Sequence, residues 1–118
     1  MAKEKNFENR FKRWLKSKGI YPLGYPSSKM DVPACGYYEK RWGGGVFTTA
    51  GLPDMHICIN GKSFEVELKA EDGRPSEVQK LIIRQINACG GYGEIVYPSD
   101  YERIKEIIEK EIANGHTK

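Results

Sequence analysis

The chain lacks the features that mark membrane proteins and disulfide-stabilised secreted proteins. In its 118 residues no apolar run approaches the roughly 18 residues that a membrane span needs, and the N-terminus is charged rather than signal-like. Cysteine is scarce, and Cys35, Cys58 and Cys89 have no C-x-x-C spacing. We therefore expect a single cytoplasmic domain over residues 1–118, with reduced thiols, no zinc or redox site and no membrane partner.

Excess charge is also nearly absent, since the net charge is only +3, but the basic residues are unevenly placed. The first eighteen residues contain seven Lys or Arg residues and only two Glu residues. Such a cluster is compatible with a face that contacts phosphates, and Arg10 and Arg13 are candidate DNA contacts there. A solvated helix surface explains the same residues equally well.

A β-hairpin over residues 51–70 is the strongest local signal. Asn60-Gly61 between two alternating apolar runs predicts a tight two-residue turn. Counting outward from this turn pairs Met55 with Val66 and places Asp54 opposite Glu67. Opposed side chains have Cβ atoms about 4.5–5.5 Å apart, and like charges at that distance repel. The acid pair therefore requires a counter-charge, which Lys69, a divalent cation or both can supply.

Helical periodicity predicts three helices around this hairpin. The first runs from Phe7 to Lys18 with Asn6 as its N-cap, and the second follows Ser76 and runs to about Ala88. A capping-box pattern at residues 99–102 opens the third. A short strand at residues 94–97 follows the second helix, which implies a parallel crossover. The expected fold is α/β, with a mixed β-sheet that contains an antiparallel hairpin and a parallel βαβ crossover, flanked by helices.

Residues 20–45 form the least regular part of the sequence. They contain three prolines and several glycines, and we expect an irregular loop or insertion. A cluster from Tyr37 to Trp42 contains Lys40 and Arg41 between aromatic residues, a composition that suits nucleic-acid contacts. An ordinary packing cluster or a subunit contact is the alternative interpretation.

Asp54, Glu67 and Lys69 share one face of the predicted hairpin and form a set with recognisable chemistry. Carboxylate oxygens suit a hard cation such as Mg²⁺, which can polarise a phosphoryl oxygen and acidify a bound water. Lys69 can orient that water or stabilise charge on the phosphate. The alternative is a surface salt bridge between Lys69 and the acids. His56 shares this face, but an ordinary strand histidine is the simpler interpretation.

The motifs together resemble those of a known nuclease family. Gly51-Leu52-Pro53-Asp54 followed by Glu67-Leu68-Lys69 is similar to the PD-(D/E)xK signature of metal-dependent nucleases. More narrowly, Gly-x-Pro-Asp, Glu-Leu-Lys-Ala, and Gly73-Arg74-Pro75-Ser76 with Gln79 resemble the VRR-NUC family, in the stand-alone form found in bacteriophages. The resemblance covers roughly residues 7–112 and implies a restriction-endonuclease-like core.

The resemblance also implies roles for individual residues. Asp54 and Glu67 match the metal-binding acids, the backbone carbonyl of Leu68 matches a further ligand, and Lys69 matches the catalytic lysine. Gln79 matches a glutamine that projects towards the active site, although Ser76 and Gln79 also make a capping box. Glu8 corresponds by position to an acid of the first helix, where a favourable position in the first turn is the alternative explanation.

The function implied by the resemblance is a Mg²⁺- or Mn²⁺-dependent DNA endonuclease. Stand-alone members resemble Holliday-junction resolvases, so branched DNA as substrate and a homodimer are expected, in the cytoplasm of a bacterial host if the chain is phage-encoded. Candidate DNA contacts are Arg10, Arg13, Lys40, Arg41 and Arg74. A DNA-binding accessory module without turnover and a restriction-type nuclease with sequence preference remain alternatives. The sequence leaves open the number of metal ions and the surface that dimerises.

Overall fold

The computed structural model describes residues 2–41 and 50–115. These residues form three helices and five strands, with short 3₁₀ turns at Ser27–Lys29 and Pro98–Asp100. The order along the chain is α1 (Ala2–Ser17), β1 (Ile20–Pro22), β2 (Gly36–Lys40), β3 (Met55–Ile59), β4 (Lys62–Leu68), α2 (Glu77–Ala88), β5 (Tyr92–Val96) and α3 (Tyr101–Gly115).

The five strands form one mixed sheet in the order β1-β2-β3-β4-β5. The outer pairs β1–β2 and β4–β5 are parallel, whereas β2–β3 and β3–β4 are antiparallel. The chain passes from β4 to β5 through α2, as the predicted parallel crossover requires. The expected α/β class with a mixed, helix-flanked sheet is therefore confirmed.

The hairpin between β3 and β4 has the register that the turn residues predicted. Met55 pairs with Val66, Ile57 with Phe64, and Ile59 with Lys62. Asn60 and Gly61 both have positive φ, at 50° and 85°. This is the conformation that a two-residue turn of this type demands, and asparagine and glycine adopt it most easily. The side chain of Asn60 also donates to the carbonyl of Glu111 at 3.0 Å, so the turn is tied to α3.

The core lies on the face of the sheet that α1 and α3 cover. Phe7, Phe11 and Leu15 of α1 are almost fully buried, as are Ile104 and Ile108 of α3. They pack in one cluster with inward-facing strand side chains such as Met55, Ile57, Phe64, Val66 and Leu68. The apolar stripes predicted for the first and last helices are therefore the buried faces.

Helix α2 packs more loosely than its composition suggests. It lies on the other face of the sheet, where Ile86 is next to Gly93 of β5, and none of its side chains is fully buried. Val78 and Leu81 are 45% and 44% exposed. The apolar residues of this helix favour firm packing against the sheet, but its side chains are only partly buried.

Two further sequence expectations need correction. Residues 20–45 are not simply an irregular insertion, since β1 and β2 lie within them and Ile20, Tyr21 and Tyr38 are buried. The first helix begins at Ala2, so Asn6 is inside the helix rather than its N-cap.

No helix among the described residues has the length and apolarity needed to cross a bilayer.

Candidate functional site

Asp54 and Glu67 meet where the hairpin strands begin and end. The backbone N–H of Asp54 donates to Glu67 Oε1 at 3.1 Å, and the backbone N–H of Leu68 donates to Asp54 Oδ1 at 3.3 Å. Glu67 is 5% exposed, and the side chain of Asp54 is 16% exposed. Each acid therefore accepts a main-chain hydrogen bond from the other strand, and this reciprocal arrangement fixes the two carboxylates side by side.

Lys69 and Gln79 approach Glu67 from two directions. Lys69 Nζ is 3.5 Å from Glu67 Oε2, and its backbone N–H donates to Val96 of β5 at 3.0 Å. Gln79 Nε2 donates to the same Glu67 oxygen at 3.2 Å. Gln79 also completes the capping box with Ser76. Gln79 therefore makes both contacts at once, since its amide oxygen caps the helix while its amide nitrogen contacts Glu67.

Glu8 reaches this end of the sheet from α1. Only 3% of Glu8 is exposed, and its carboxylate is surrounded by lysines. Lys40 Nζ lies 2.8 Å from Oε1, while Lys12 and Lys5 lie 2.7 Å and 3.3 Å from Oε2. Lys40 also lies 3.4 Å from Asp54 Oδ2 and so connects the two acids. Glu8 is thus close to the predicted acid pair, but through an intervening ammonium group.

The electrostatic environments of the three acids differ sharply. Burial, followed by the charge of Asp54, raises the pKa of Glu67 to about 7. Burial also raises the pKa of Asp54, although Lys40 and the Leu68 N–H oppose the shift. Burial alone would raise the pKa of Glu8 as well, but hydrogen bonds from Lys12 and Lys40 hold it at about 2. The surroundings of Glu8 therefore favour its charged form, whereas those of Glu67 favour its protonated form.

Lys40 and Arg41 lie at this site rather than on an open basic surface. The guanidinium of Arg41 donates to the Pro53 carbonyl at 2.9 Å and to Glu65 Oε1 at 2.6 Å. The backbone N–H of Arg41 donates to the Asp54 carbonyl at 2.7 Å. Arg41 thereby holds the residues that lead into Asp54. The sequence marked both side chains as DNA-contact candidates, with a packing cluster or a subunit contact as the alternative, and missed these positioning roles. These positioning roles would have been revealed by recognising that the strand ending at Lys40 pairs antiparallel with β3.

The remaining candidates lie outside the acid cluster. Arg10, Arg13 and Arg74 are exposed, and Arg10 lies over the ring of Tyr101 at 4.6 Å. His56 pairs with Glu65 on the polar face of the sheet, next to the ring of Tyr37. Trp42, the last member of the predicted aromatic cluster, lies outside the described residues.

The residues at this site fit a hard divalent cation in part. Asp54 and Glu67 provide two adjacent carboxylates, and Mg²⁺ is commonly held by one or two acids, with water and substrate completing its shell. Across residues 2–41 and 50–115, however, no group of three or more His, Cys, Asp or Glu side chains is arranged to hold a metal. Two carboxylates would leave most of the coordination shell of such a cation to water or substrate oxygens.

Comparison of the chain with known protein families, with curated proteins and with solved structures found no match. The geometry of the acid cluster and the sequence motifs are therefore the basis for assigning a function.

Proposed function

We propose that this protein is a Mg²⁺- or Mn²⁺-dependent endonuclease that hydrolyses DNA phosphodiester bonds, with a restriction-endonuclease-like core of the VRR-NUC type. The observation that carries the proposal is the meeting of Asp54, Glu67 and Lys69 at one end of the hairpin, with 3.1 Å between the Asp54 nitrogen and Glu67 Oε1. Burying two adjacent acids is costly for folding. A cation bound between the two acids would offset their repulsion, so a metal-binding role explains why both are buried together.

The chemistry follows from the residue types. Asp54 and Glu67 would hold the cation, with the Leu68 backbone carbonyl as a further ligand, and the cation would polarise the scissile phosphate and acidify a water. Lys69 orients the attacking water and stabilises negative charge that develops on the phosphate. Gln79 holds Glu67 in place through its 3.2 Å contact. The water would attack phosphorus in line and give up its proton to solvent, while the bond to the leaving oxygen breaks and that oxygen takes a proton from a solvent water.

The basic surface beside the site supports DNA as the substrate. Arg13 and Lys16 of α1 are exposed, and Lys12 of the same helix contacts Glu8. The helix that carries Glu8 therefore also presents cations to solvent. A phosphate backbone passing along α1 would be attracted by these charges independently of its sequence.

Branched DNA is proposed as the preferred substrate, and a homodimer as the active form. Two symmetry-related sites would nick two strands of a junction in matched positions. A restriction-type enzyme would instead require contacts to base edges, which give sequence preference. Mapping cut positions on random-sequence duplexes and on four-way junctions separates these two modes.

A second candidate function is DNA binding without turnover. One observation favours it: the described residues contain no cluster of three or more potential metal ligands. A chain of this kind would bind DNA through the exposed arginines but leave it intact in every metal.

Incubation with supercoiled plasmid and with a four-way junction, in Mg²⁺, Mn²⁺ or EDTA, tests the proposal. Cleavage is expected with either metal and not with EDTA, and Glu67→Gln and Lys69→Met should abolish it. Glu102→Gln and Lys62→Met provide matched controls, since both residues are exposed and lie away from the site. DNA binding without cleavage in any metal would reject the nuclease and leave the binding module.

A further inference from the structure

The ammonium group of Lys40 lies between carboxylates from two different parts of the chain. Its Nζ is 2.8 Å from Glu8 Oε1 on α1 and 3.4 Å from Asp54 Oδ2 before β3. Lys40 ends β2 and pairs with Met55, the residue that follows Asp54. Only 16% of its side chain is exposed. The sheet therefore fixes where this cation lies, unlike a lysine on an open surface.

The negative charge of Glu8 is already neutralised by lysine side chains of the protein. Lys40 contacts one carboxylate oxygen, and Lys12 and Lys5 contact the other at 2.7 Å and 3.3 Å. Glu67, by comparison, is contacted by Lys69 at 3.5 Å and lies beside a second acid. A divalent ion approaching Glu8 would have to displace ammonium groups, whereas one approaching Asp54 and Glu67 would relieve repulsion.

We propose that the ammonium group of Lys40 occupies the space between Glu8 and Asp54 where a second divalent ion would otherwise bind. Lys40 thereby limits the site to one divalent ion, which is held by Asp54 and Glu67. The inference rests on the proposed function in one respect, since it requires these two acids to bind a metal. Glu8 then acts as a positioning residue that holds Lys40, and it does not coordinate the metal.

The physical reason is repulsion between cations at short range. Mg²⁺ binds carboxylate oxygens at about 2.1 Å, so an ion on Asp54 Oδ2 would lie within about 5.5 Å of the ammonium group. A second ion between Glu8 and Asp54 would occupy nearly the same place as the ammonium group. Removing the charge of Lys40 should therefore strengthen metal binding, although it removes a stabilising contact from the metal-free protein.

Titration of the full chain with Mn²⁺, followed by electron paramagnetic resonance of the unbound ion, tests this inference. The wild-type chain should bind one Mn²⁺ at this site. Lys40→Met should bind Mn²⁺ at least about threefold more tightly, because the nearby positive charge is gone, and should take up a second ion with Glu8 as a ligand. In Lys40→Met/Glu8→Gln the second ion should be lost. Lys40→Arg, which keeps the charge, should still bind one ion.

Melting temperatures with and without Mn²⁺ provide the second readout. Lys40→Met should melt below the wild type without metal and gain more from Mn²⁺ than the wild type gains, whereas Lys62→Met should gain as much from Mn²⁺ as the wild type does. Equal or weaker Mn²⁺ binding by folded Lys40→Met would overturn the role of Lys40 and leave the nuclease proposal intact. If Lys40→Met does not fold, a second Mn²⁺ in Lys40→Arg would overturn the inference, and one ion would support it. Absence of Mn²⁺ binding in every variant would overturn both proposals.

Discussion

Glu8 and Glu67 are the same residue type with nearly the same burial, at 3% and 5% exposed, and they lie on either side of Asp54. Glu8 faces three lysines, and its pKa is held at about 2 despite burial. Glu67 faces a second acid, Asp54, and its contact with Lys69 is longer, at 3.5 Å. Burial together with Asp54 raises the pKa of Glu67 to about 7.

The difference shows how one end of a sheet can contain two buried carboxylates with opposite effects on stability. The lysines satisfy Glu8 within the protein, so its charge supports the fold. The charge of Glu67 opposes the fold because it is buried beside Asp54, and residues with strongly raised pKa values are frequently found at functional sites. Burial alone does not separate the two roles, whereas the neighbouring charges do.

The largest expected effect is on catalysis by Glu67→Gln. This change keeps the size of the side chain but removes a metal-binding charge, and we expect cleavage to fall at least about 10³-fold. Stability should move the other way, with the free energy of unfolding at pH 8 rising by about 1–3 kcal/mol because a buried charge next to Asp54 is gone. Plasmid cleavage and urea unfolding at pH 8 measure the two effects. A loss of both activity and stability would mean that Glu67 is mainly structural.

Glu8→Gln should have the opposite effect on stability. The pKa of Glu8 is lowered in the folded protein. The stability that its charge contributes is therefore fully present above its unfolded pKa near 4.5 and is lost as the pH falls towards 2. We expect the change to cost about 2–3 kcal/mol at pH 7, since Lys12 and Lys40 lose a buried anion. Urea unfolding at pH 7 and pH 3 should show a large difference from the wild type at pH 7 and a smaller one at pH 3. An equal loss at both pH values would contradict the charge-based explanation.

Metal affinity should depend on pH through Glu67. Its pKa of about 7 means that most molecules carry a proton at this group at pH 6 and few do at pH 8. Since the metal binds the deprotonated acid, we expect Mn²⁺ to bind about tenfold more tightly at pH 8 than at pH 6. Without metal, the free energy of unfolding should change in the opposite direction and fall as the pH rises from 4.5 through 7, because ionising Glu67 in the folded protein costs free energy. Calorimetric titration checks the affinity, and a flat profile would place the metal elsewhere.

The smallest expected effect separates the two roles of Gln79. Ser76→Ala removes the oxygen that accepts from the Gln79 N–H at 3.1 Å, whereas Gln79→Ala removes both its part of the cap and the contact with Glu67. Each should lower the free energy of unfolding by about 1 kcal/mol, the usual cost of a lost cap. Only Gln79→Ala should also lower the cleavage rate, by about tenfold. Equal cleavage by both variants would confine Gln79 to the cap.

Local sequence signals predicted the hairpin and most of the acid site. Asn60-Gly61 sets the turn, and a period of two then determines which acids meet, so Asp54 and Glu67 followed from counting alone. Strand β1 escaped prediction because three residues carry no usable periodicity and its parallel partner β2 begins sixteen residues away, at Gly36.

The position of Lys40 was missed for the same physical reason. Its partner Glu8 is 32 residues distant in the chain, and the contact exists only because β2 pairs with β3 beneath α1. Residue type indicated a cation, but nothing local indicated whether it would contact DNA or an acid. Side chains whose roles depend on pairing between distant segments are the ones that a single sequence leaves open.

The most direct test of the contrast between the two glutamates is a crystal structure of the full chain soaked in Mn²⁺, with anomalous scattering used to locate the ion. The expected result is one peak at about 2.0–2.4 Å from oxygens of both Asp54 and Glu67, with Lys40 still between Glu8 and Asp54. A peak coordinated by Glu8, or no peak at Asp54 and Glu67 at saturating Mn²⁺, would contradict the assignment of Glu67 as the metal-binding acid and Glu8 as the structural one.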